Sequence, residues 1–181
     1  MIQMRKRISI LAICLVAIFY GSTHAEIKPE ADLDNFRGMK WGTDFSTLPK
    51  DEFKEEKSPI PEEKVFSKEN ENLDVLGVSA SFIRYRFYDN RFIGAVVKFN
   101  FNRKDELKDS LTEFLGKPDK VDEEGSPPIL KITWKGNNMW VNERINFKHE
   151  YILLIIHSTV EMEKRIKKKR DTVKEKVKKG L

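Results

Sequence analysis

The chain has 181 residues, of which 39% are hydrophobic and 35% are charged, and its formal net charge is +5. The basic residues are concentrated at the two ends: residues 161–181 hold ten Lys or Arg against four Asp or Glu, whereas residues 26–160 hold 21 against 25. A mildly acidic body lacks the excess positive charge on which nucleic-acid binding depends, so we expect no nucleic-acid partner.

The first 25 residues predict a cleavable secretory signal peptide. Three basic residues at 5–7 precede an apolar run over 8–20, which contains no charge and only Ser9 as a polar residue, and small or polar residues follow up to Ala25. A basic start, a short apolar stretch and a small residue at the cut are the three parts of such a signal. A membrane anchor is the alternative, but a spanning helix needs about 20 apolar residues. We expect cleavage after Ala25 and a periplasmic or secreted mature protein.

The single cysteine, Cys14, lies inside this apolar run. Ile13 precedes it, whereas a lipidated cysteine normally follows a small residue, so the sequence does not favour a lipid anchor. Cleavage removes Cys14, and the mature protein then has no disulfide, thiol nucleophile or cysteine-bound metal. A mature chain of this length buries enough surface to fold on its core alone.

The N-terminal part of the mature chain predicts little regular structure. Residues 50–64 carry many charges and two prolines, so we expect a loop there that contributes nothing to a core. Around it we expect a loose polar lead-in at 26–35, a short strand at 36–42, a helical turn at 43–48 capped by Thr43 or Asp44, and short strands at 65–66 and 73–80.

A β-hairpin is the clearest unit in the sequence. Residues 81–88 and 91–101 are β-rich runs joined at Asp89-Asn90, and both residue types tolerate the positive φ of a tight turn. Apolar and polar side chains alternate along both runs, as in a sheet with one buried face. We expect the buried face to carry Ile83, Tyr85, Phe87, Ile93, Ala95, Val97, Phe99 and Phe101, and the other face to carry Arg84, Arg86, Tyr88, Gly94, Lys98 and Asn100.

A helix and three more strands are predicted after the hairpin. The helix begins at the N-cap Asn102 and ends at Gly116, and we expect it to cover the hairpin through its apolar stripe of Leu107, Leu111, Phe114 and Leu115. The strands are expected at 130–134, 139–147 and 151–156. The last is almost wholly apolar, which favours an interior place in the sheet.

These elements together predict an α+β fold. We expect an antiparallel sheet of about five to six strands, one helix packed on its face, and a long C-terminal helix over 159–178. The domain organisation is a signal peptide at 1–25, a single α+β domain at 26–158 and a basic C-terminal helix at 159–181. Because that helix has few apolar residues, we expect its first turns to dock and the rest to project.

Three segments carry a resemblance to a known group of proteins. They are Phe36-Arg37-Gly38-x-x-Trp41-Gly42, Tyr85-x-Phe87-Tyr88-Asp89-Asn90-Arg91-Phe92-x-Gly94, and Leu115-Gly116-Lys117-Pro118. Together they resemble small uncharacterised bacterial exported (periplasmic) proteins that open with F-x-G-x-x-W-G and continue with a Y-D hairpin, a helix and Y-G-x-P. Phe92 and Leu115 stand where the group usually has leucine and tyrosine. The resemblance implies an α+β periplasmic domain and brings no functional residues, because the group has no assigned activity.

No motif in the mature chain points to catalysis, metal binding or a cofactor. His149 and His157 do not have metal-ligand spacing, and the paired glutamates fall in the predicted loop at 50–64, where catalytic groups could not be held rigidly. An aromatic and arginine-rich sheet face would instead suit a partner or ligand. The alternative is that a second layer covers this face. The candidate binding residues are Arg37, Trp41, Arg84, Arg86, Tyr88, Trp140 and Arg144.

The basic tail is a second candidate contact surface. Next to an anionic bilayer, each Lys or Arg contributes about 1 kcal/mol, although interleaved acids and sparse apolar residues oppose deep insertion. The tail candidates are Lys164, Arg165, Lys167, Lys168, Lys169 and Arg170.

The function expected first is an exported non-enzymatic binding or interaction module, with an envelope protein or an anionic membrane surface as its partner. The alternatives are an envelope hydrolase whose site is assembled from distant residues, and a membrane-surface protein that docks through its basic helix.

Overall fold

The computed structural model describes residues 27–179. The predicted signal peptide, with Cys14 and the cleavage point after Ala25, lies outside the described residues. The strands are β1 (Asn35–Phe36), β2 (Met39–Lys40), β3 (Phe53–Glu56), β4 (Glu63–Lys68), β5 (Asp74–Val75), β6 (Val78–Ser79), β7 (Phe82–Tyr88), β8 (Arg91–Asn100), β9 (Lys120–Glu124), β10 (Ile129–Lys135), β11 (Met139–Asn146) and β12 (Tyr151–Ser158). The α-helices are α1 (Lys104–Leu115) and α2 (Thr159–Lys178).

The fold is α+β, as predicted, and it is built on one large antiparallel sheet. Eight strands pair in the order β3-β4-β7-β8-β12-β11-β10-β9, whereas we expected five to six. The two additional strands are β3 and β9, which form the edges. The prediction of an interior strand at 151–156 is confirmed, because β12 lies between β8 and β11 and joins the hairpin to the C-terminal meander.

The predicted hairpin forms, but its register contains a β-bulge. Asp89 and Asn90 both have positive φ at the turn, at 50° and 59°. The register shifts between Arg86 and Phe87, so that Phe87 pairs with Phe92 rather than with Ile93. Phe92 therefore belongs to the main hydrophobic core, whereas Ile93 is buried outside it. The predicted face assignment is thus wrong at Ile93, because one extra residue in a strand reverses the alternation.

Helix α1 covers one face of the sheet. Leu107, Leu111 and Leu115 are fully buried in the core, Phe114 packs against it, and Gly116 ends the helix with a φ of 88°. The predicted stripe and C-cap are confirmed. The predicted N-cap is wrong: Asn102 lies within a 3-10 turn over Phe101–Arg103 that leads directly into α1, and no side chain caps the helix start.

The lead-in at 27–34 is ordered, contrary to expectation. Ile27 and Ala31 are buried, because they close the end of the core beside α1. Asp32 accepts backbone N–H hydrogen bonds from Asn137, Asn138 and Met139 at 2.9, 3.0 and 2.9 Å. One carboxylate therefore ties this segment to the turn between β10 and β11.

The segments on either side of Asp44 differ in how well they were predicted. The Asp44 side chain caps a 3-10 turn at Phe45–Thr47, as predicted. The expected strand at 36–42 is instead the short β1–β2 hairpin. The expected loop at 50–64 contains β3 and the first residues of β4. Its Phe53 packs against the core and Glu63 is buried, so the prediction that this segment adds nothing to the core is wrong.

Helix α2 begins directly after β12, as predicted. Ser158 caps it by accepting a hydrogen bond from the backbone N–H of Glu161 at 3.2 Å. Arg165 is buried against the sheet, whereas every residue from 166 to 175 is exposed. Buried contact with the body is therefore confined to the first two turns, and Lys168 and Lys169 in the third turn pair with Asp89 and Glu62 at the surface.

Candidate functional site

The sheet face opposite α1 carries a half-open groove. Residue pairing across β7, β8, β12, β11 and β10 aligns the side chains of this face in three rows. The rows are Phe82–Lys98–Leu153–Arg144–Lys131, Arg84–Val96–Ile155–Asn142–Thr133, and Arg86–Gly94–His157–Trp140–Lys135. A cavity of about 440 Å³ lies over the first strands of these rows. We call it the sheet groove; its lining comprises Lys57, Pro59, Ile60, Glu63, Val65, Phe82, Arg84, Arg86, Val96, Arg144, Leu153, Ile155 and His157.

A buried ion cluster forms one wall of the sheet groove. Glu63 accepts two parallel hydrogen bonds from Arg86, each of 2.8 Å, and also contacts Arg165 of α2. The three side chains are 1%, 9% and 8% exposed. A buried carboxylate is tolerated only when it is well paired, and the two-point geometry of arginine provides that pairing. Glu63 therefore joins the sheet to α2.

His157 completes this wall in its neutral form. Nη1 of Arg86 lies 3.2 Å from Nδ1 of His157. Because a guanidinium can only donate, Nδ1 accepts and the ring proton resides on Nε2. Burial, reinforced by the positive charges of Arg86 and Arg165, lowers the pKa of His157 to about 3. The ring is consequently uncharged at neutral pH.

Gly94 makes the contact between Arg86 and His157 possible. It lies between them in the third row and presents no side chain. A Cβ atom at this position would lie 2.2 Å from the carbonyl oxygen of Ile156, which is too close for any side chain. The close approach of β8 to β12 therefore requires glycine here.

The arginines of the sheet groove differ in how far their donors are used. Arg84 donates to Glu56 at 3.0 Å and stacks over Phe82 at 4.3 Å. Arg144 is nearest to Glu124, at 3.8 Å, which is too long for a hydrogen bond. Its buried Nε has no hydrogen-bond partner. Within residues 27–179, Arg144 is thus a strand-held cation with unused donors.

Trp140 stands beside the groove wall rather than in the lining. Its ring centroid lies 6.2 Å from that of His157, and Nζ of Lys135 lies 4.9 Å from its ring centroid. Its buried Nε1 has no hydrogen-bond partner among the described residues. Trp140 is close enough to respond to a change in the polarity of the groove.

The other candidate binding residues lie elsewhere. Arg37 donates to the carbonyls of Asn72 and Asp74 at 2.7 and 2.9 Å, so it braces the segment that carries the β5–β6 hairpin. Trp41 stacks on Phe92 with ring centroids 5.1 Å apart. The structure therefore unites Arg84, Arg86 and Arg144 in one groove and separates Arg37 and Trp41 from them.

Tyr88 lies beneath α2, where two residues of the basic tail pack over its ring. The Arg165 guanidinium is 5.2 Å and the Lys168 ammonium 5.5 Å from its ring centroid. Lys168 also pairs with Asp89. Lys164 bonds Glu161 at 2.6 Å and Lys169 lies 3.9 Å from Glu62. Lys167 and Arg170 are exposed and form no ion pair with a described residue.

Two buried acids escaped the sequence-based prediction. Glu63 falls in the segment 50–64, whose many charges and two prolines predict a loop. Glu143 lies on the opposite, core-facing side of the sheet, where its side chain is 1% exposed and Oε1 has no hydrogen-bond partner. Burial raises the pKa of Glu143 to about 7, although Lys108 partly opposes this shift. The signal was present: alternation places residue 143 with Val141 and Ile145 on the apolar face.

Comparisons with known proteins found no family model, no curated protein and no solved structure that matches the chain significantly. Within residues 27–179, no group of three or more His, Asp or Glu side chains is arranged to hold a metal ion. No helix in the same range is both long and apolar enough to cross a membrane.

Proposed function

We propose that this chain is an exported, non-enzymatic binding module whose ligand site is the sheet groove. One observation carries the proposal: the groove over the central strands combines an apolar floor with Arg144, which has only a long ion pair to Glu124 and donates no hydrogen bond to a described residue. Pockets of several hundred Å³ with apolar walls and a few convergent polar groups are the usual form of small-ligand sites. The export part of the proposal rests on the sequence pattern of residues 1–25 alone.

The lining of the sheet groove supports binding better than catalysis. It contains no serine, threonine or cysteine that could serve as a nucleophile. Its histidine, His157, has a pKa of about 3, and a general base works best when its pKa is near the working pH. The acid with a pKa near 7, Glu143, lies on the other face of the sheet. These facts weigh against the alternative of an envelope hydrolase acting at this groove.

A membrane-surface role through α2 has weaker support. Arg165, Lys168 and Lys169 each pair with a carboxylate of the body, which reduces the charge that they offer to a membrane surface. Lys167 and Arg170 remain exposed, yet charge without an apolar face gives only a salt-sensitive association. We therefore place the primary contact at the sheet groove and treat the helix as a secondary surface.

Binding of 1-anilinonaphthalene-8-sulfonate, an apolar fluorescent anion, tests the proposal. We expect saturable fluorescence enhancement at one site in the mature protein. Val96→Trp, which fills the floor, should abolish it, whereas Lys117→Gln on the far side should leave it unchanged. Thermal unfolding of each variant checks that it is folded. Equal enhancement in the wild type and in a folded Val96→Trp variant would refute the site.

A further inference from the structure

We propose that the sheet groove binds a single acyl chain that ends in a carboxylate, with the chain on the apolar floor and the carboxylate on Arg144. The inference rests on the proposed function and specifies its ligand class. Two independent properties of the groove support it: the floor is lined by apolar side chains, and the cations of the lining differ in whether they already pair with a carboxylate.

The floor of the groove is apolar where an exposed sheet face would normally be polar. Val96 of β8 and Leu153 and Ile155 of β12 occupy adjacent positions in the first two rows, and each remains partly exposed. Phe82 of β7 also lines the groove, although Lys98 lies between it and Leu153 in the first row. An antiparallel sheet that faces water usually alternates polar residues on that side. A contiguous aliphatic strip therefore favours an occupant with hydrocarbon, since each buried methylene contributes about 0.8 kcal/mol.

The charges of the lining indicate one anionic group on the ligand. Arg86 shares the carboxylate of Glu63 with Arg165, and Arg84 pairs with Glu56, so both lining arginines already hold a carboxylate. Arg144 and Lys57 are the lining cations that form no hydrogen bond to a carboxylate within the described part of the chain. Lys57 belongs to an exposed connection, whereas Arg144 is fixed on the interior strand β11. Arg144 is therefore the cation that can hold an anion in a defined position.

The position of Arg144 fits an anion at the end of a hydrocarbon chain. Arg144 pairs with Leu153 across β11 and β12, so the guanidinium borders the apolar strip directly. A guanidinium presents parallel N–H donors that match the two oxygens of a carboxylate. Because both features lie within one cavity of about 440 Å³, a small amphipathic molecule fits better than the broad surface of a protein partner.

Displacement of bound 1-anilinonaphthalene-8-sulfonate by dodecanoate tests the inference. We expect dodecanoate to displace the probe. Dodecyltrimethylammonium, which has the chain but a positive charge, should not displace it, and neither should acetate, which has the carboxylate but no long chain. Dodecyl phosphate is included to separate a carboxylate from a phosphate head group, and we expect it to compete less well. Arg144→Gln should weaken dodecanoate binding about tenfold, because a hydrogen bond to a charged group is lost.

A charge-matched variant keeps this result interpretable. Lys57→Gln removes the same charge from the lining without removing a fixed guanidinium, so we expect at most about a twofold effect on dodecanoate. Equal losses in the two variants, or equal competition by dodecyltrimethylammonium, would overturn the assignment of the head group to Arg144. If Val96→Trp abolishes probe binding but dodecanoate does not displace the probe from the wild type, the carboxylate ligand class is refuted while the groove is retained as the binding site. If Val96→Trp leaves probe binding unchanged, the proposed function itself is refuted.

Discussion

The buried carboxyl of Glu143 makes a contribution to the stability of the protein that decreases as the pH rises. Glu143 pairs across the sheet with Ile132 and Leu154, and one of its oxygens has no hydrogen-bond partner. Removing this group from water disfavours its charged form, so its pKa rises from an ordinary 4.5 to about 7. The folded protein therefore holds a proton that the unfolded chain releases over this interval.

The sign and size of the effect follow from proton linkage. Because the folded pKa is raised, the folded state binds more protons between pH 4.5 and 7. The contribution of Glu143 to the free energy of unfolding is therefore highest below this window and falls as the pH rises through it. At about 1.4 kcal/mol per pKa unit, the total loss above pH 7 is about 3 kcal/mol. That is a substantial part of the stability of an ordinary domain.

Glu143→Gln isolates this effect. The amide has nearly the same shape and does not titrate, so any change in packing is constant with pH. We expect the difference in unfolding free energy between Glu143→Gln and the wild type to increase by about 3 kcal/mol from pH 4.5 to pH 8. Urea denaturation across this range measures it, and Glu123→Gln on the exposed edge strand is the control. A difference that does not vary with pH would refute the reasoning.

Three further predictions concern other buried or constrained positions. His157 has a lowered pKa, so its own contribution to stability falls as the pH drops below 6.5, opposite in sign to that of Glu143. The unfolding free energy of the wild type minus that of His157→Gln, measured in urea, should therefore decrease as the pH falls below 6.5; a difference that does not vary with pH would contradict this. Gly94→Ala should lower the melting temperature markedly, since its Cβ would lie 2.2 Å from the Ile156 carbonyl oxygen; an unchanged temperature would contradict the close strand approach. Asp32→Ala should cost about 2 kcal/mol in urea unfolding, because three N–H groups lose their acceptor; a loss near zero would mean that water replaces it.

The parts of the fold that the sequence predicts well are those in which periodicity reports burial. The alternation of 81–101, the stripe of α1 and the apolar run of β12 all reflect one buried side, and all three elements form. The strands that escaped prediction are β3 and β9, in which most residues are charged. Both are edge strands, where charges face water and block further pairing, so no apolar pattern marks them.

The candidate site was predicted in part for a similar reason. Alternation placed Arg84, Arg86 and Arg144 on the polar face of their strands, and the structure brings them to one groove. The register that brings β11 beside β12 and β8 could not be read from local pattern, since it depends on contacts distant in sequence. The bulge at Ile93 and the burial of Glu63 also depend on those contacts.

The order in which the chain can fold is constrained by the lead-in at 27–34. Ile27 and Lys28 bond to the backbone of Lys135 and Leu115, and Asp32 binds the turn that ends at Met139. The earliest described residues thus find their partners about a hundred positions later. During synthesis, this segment cannot form these contacts until the chain up to residue 139 has emerged. Closure of the body is therefore a late step in folding, because it depends on contacts that are distant in sequence.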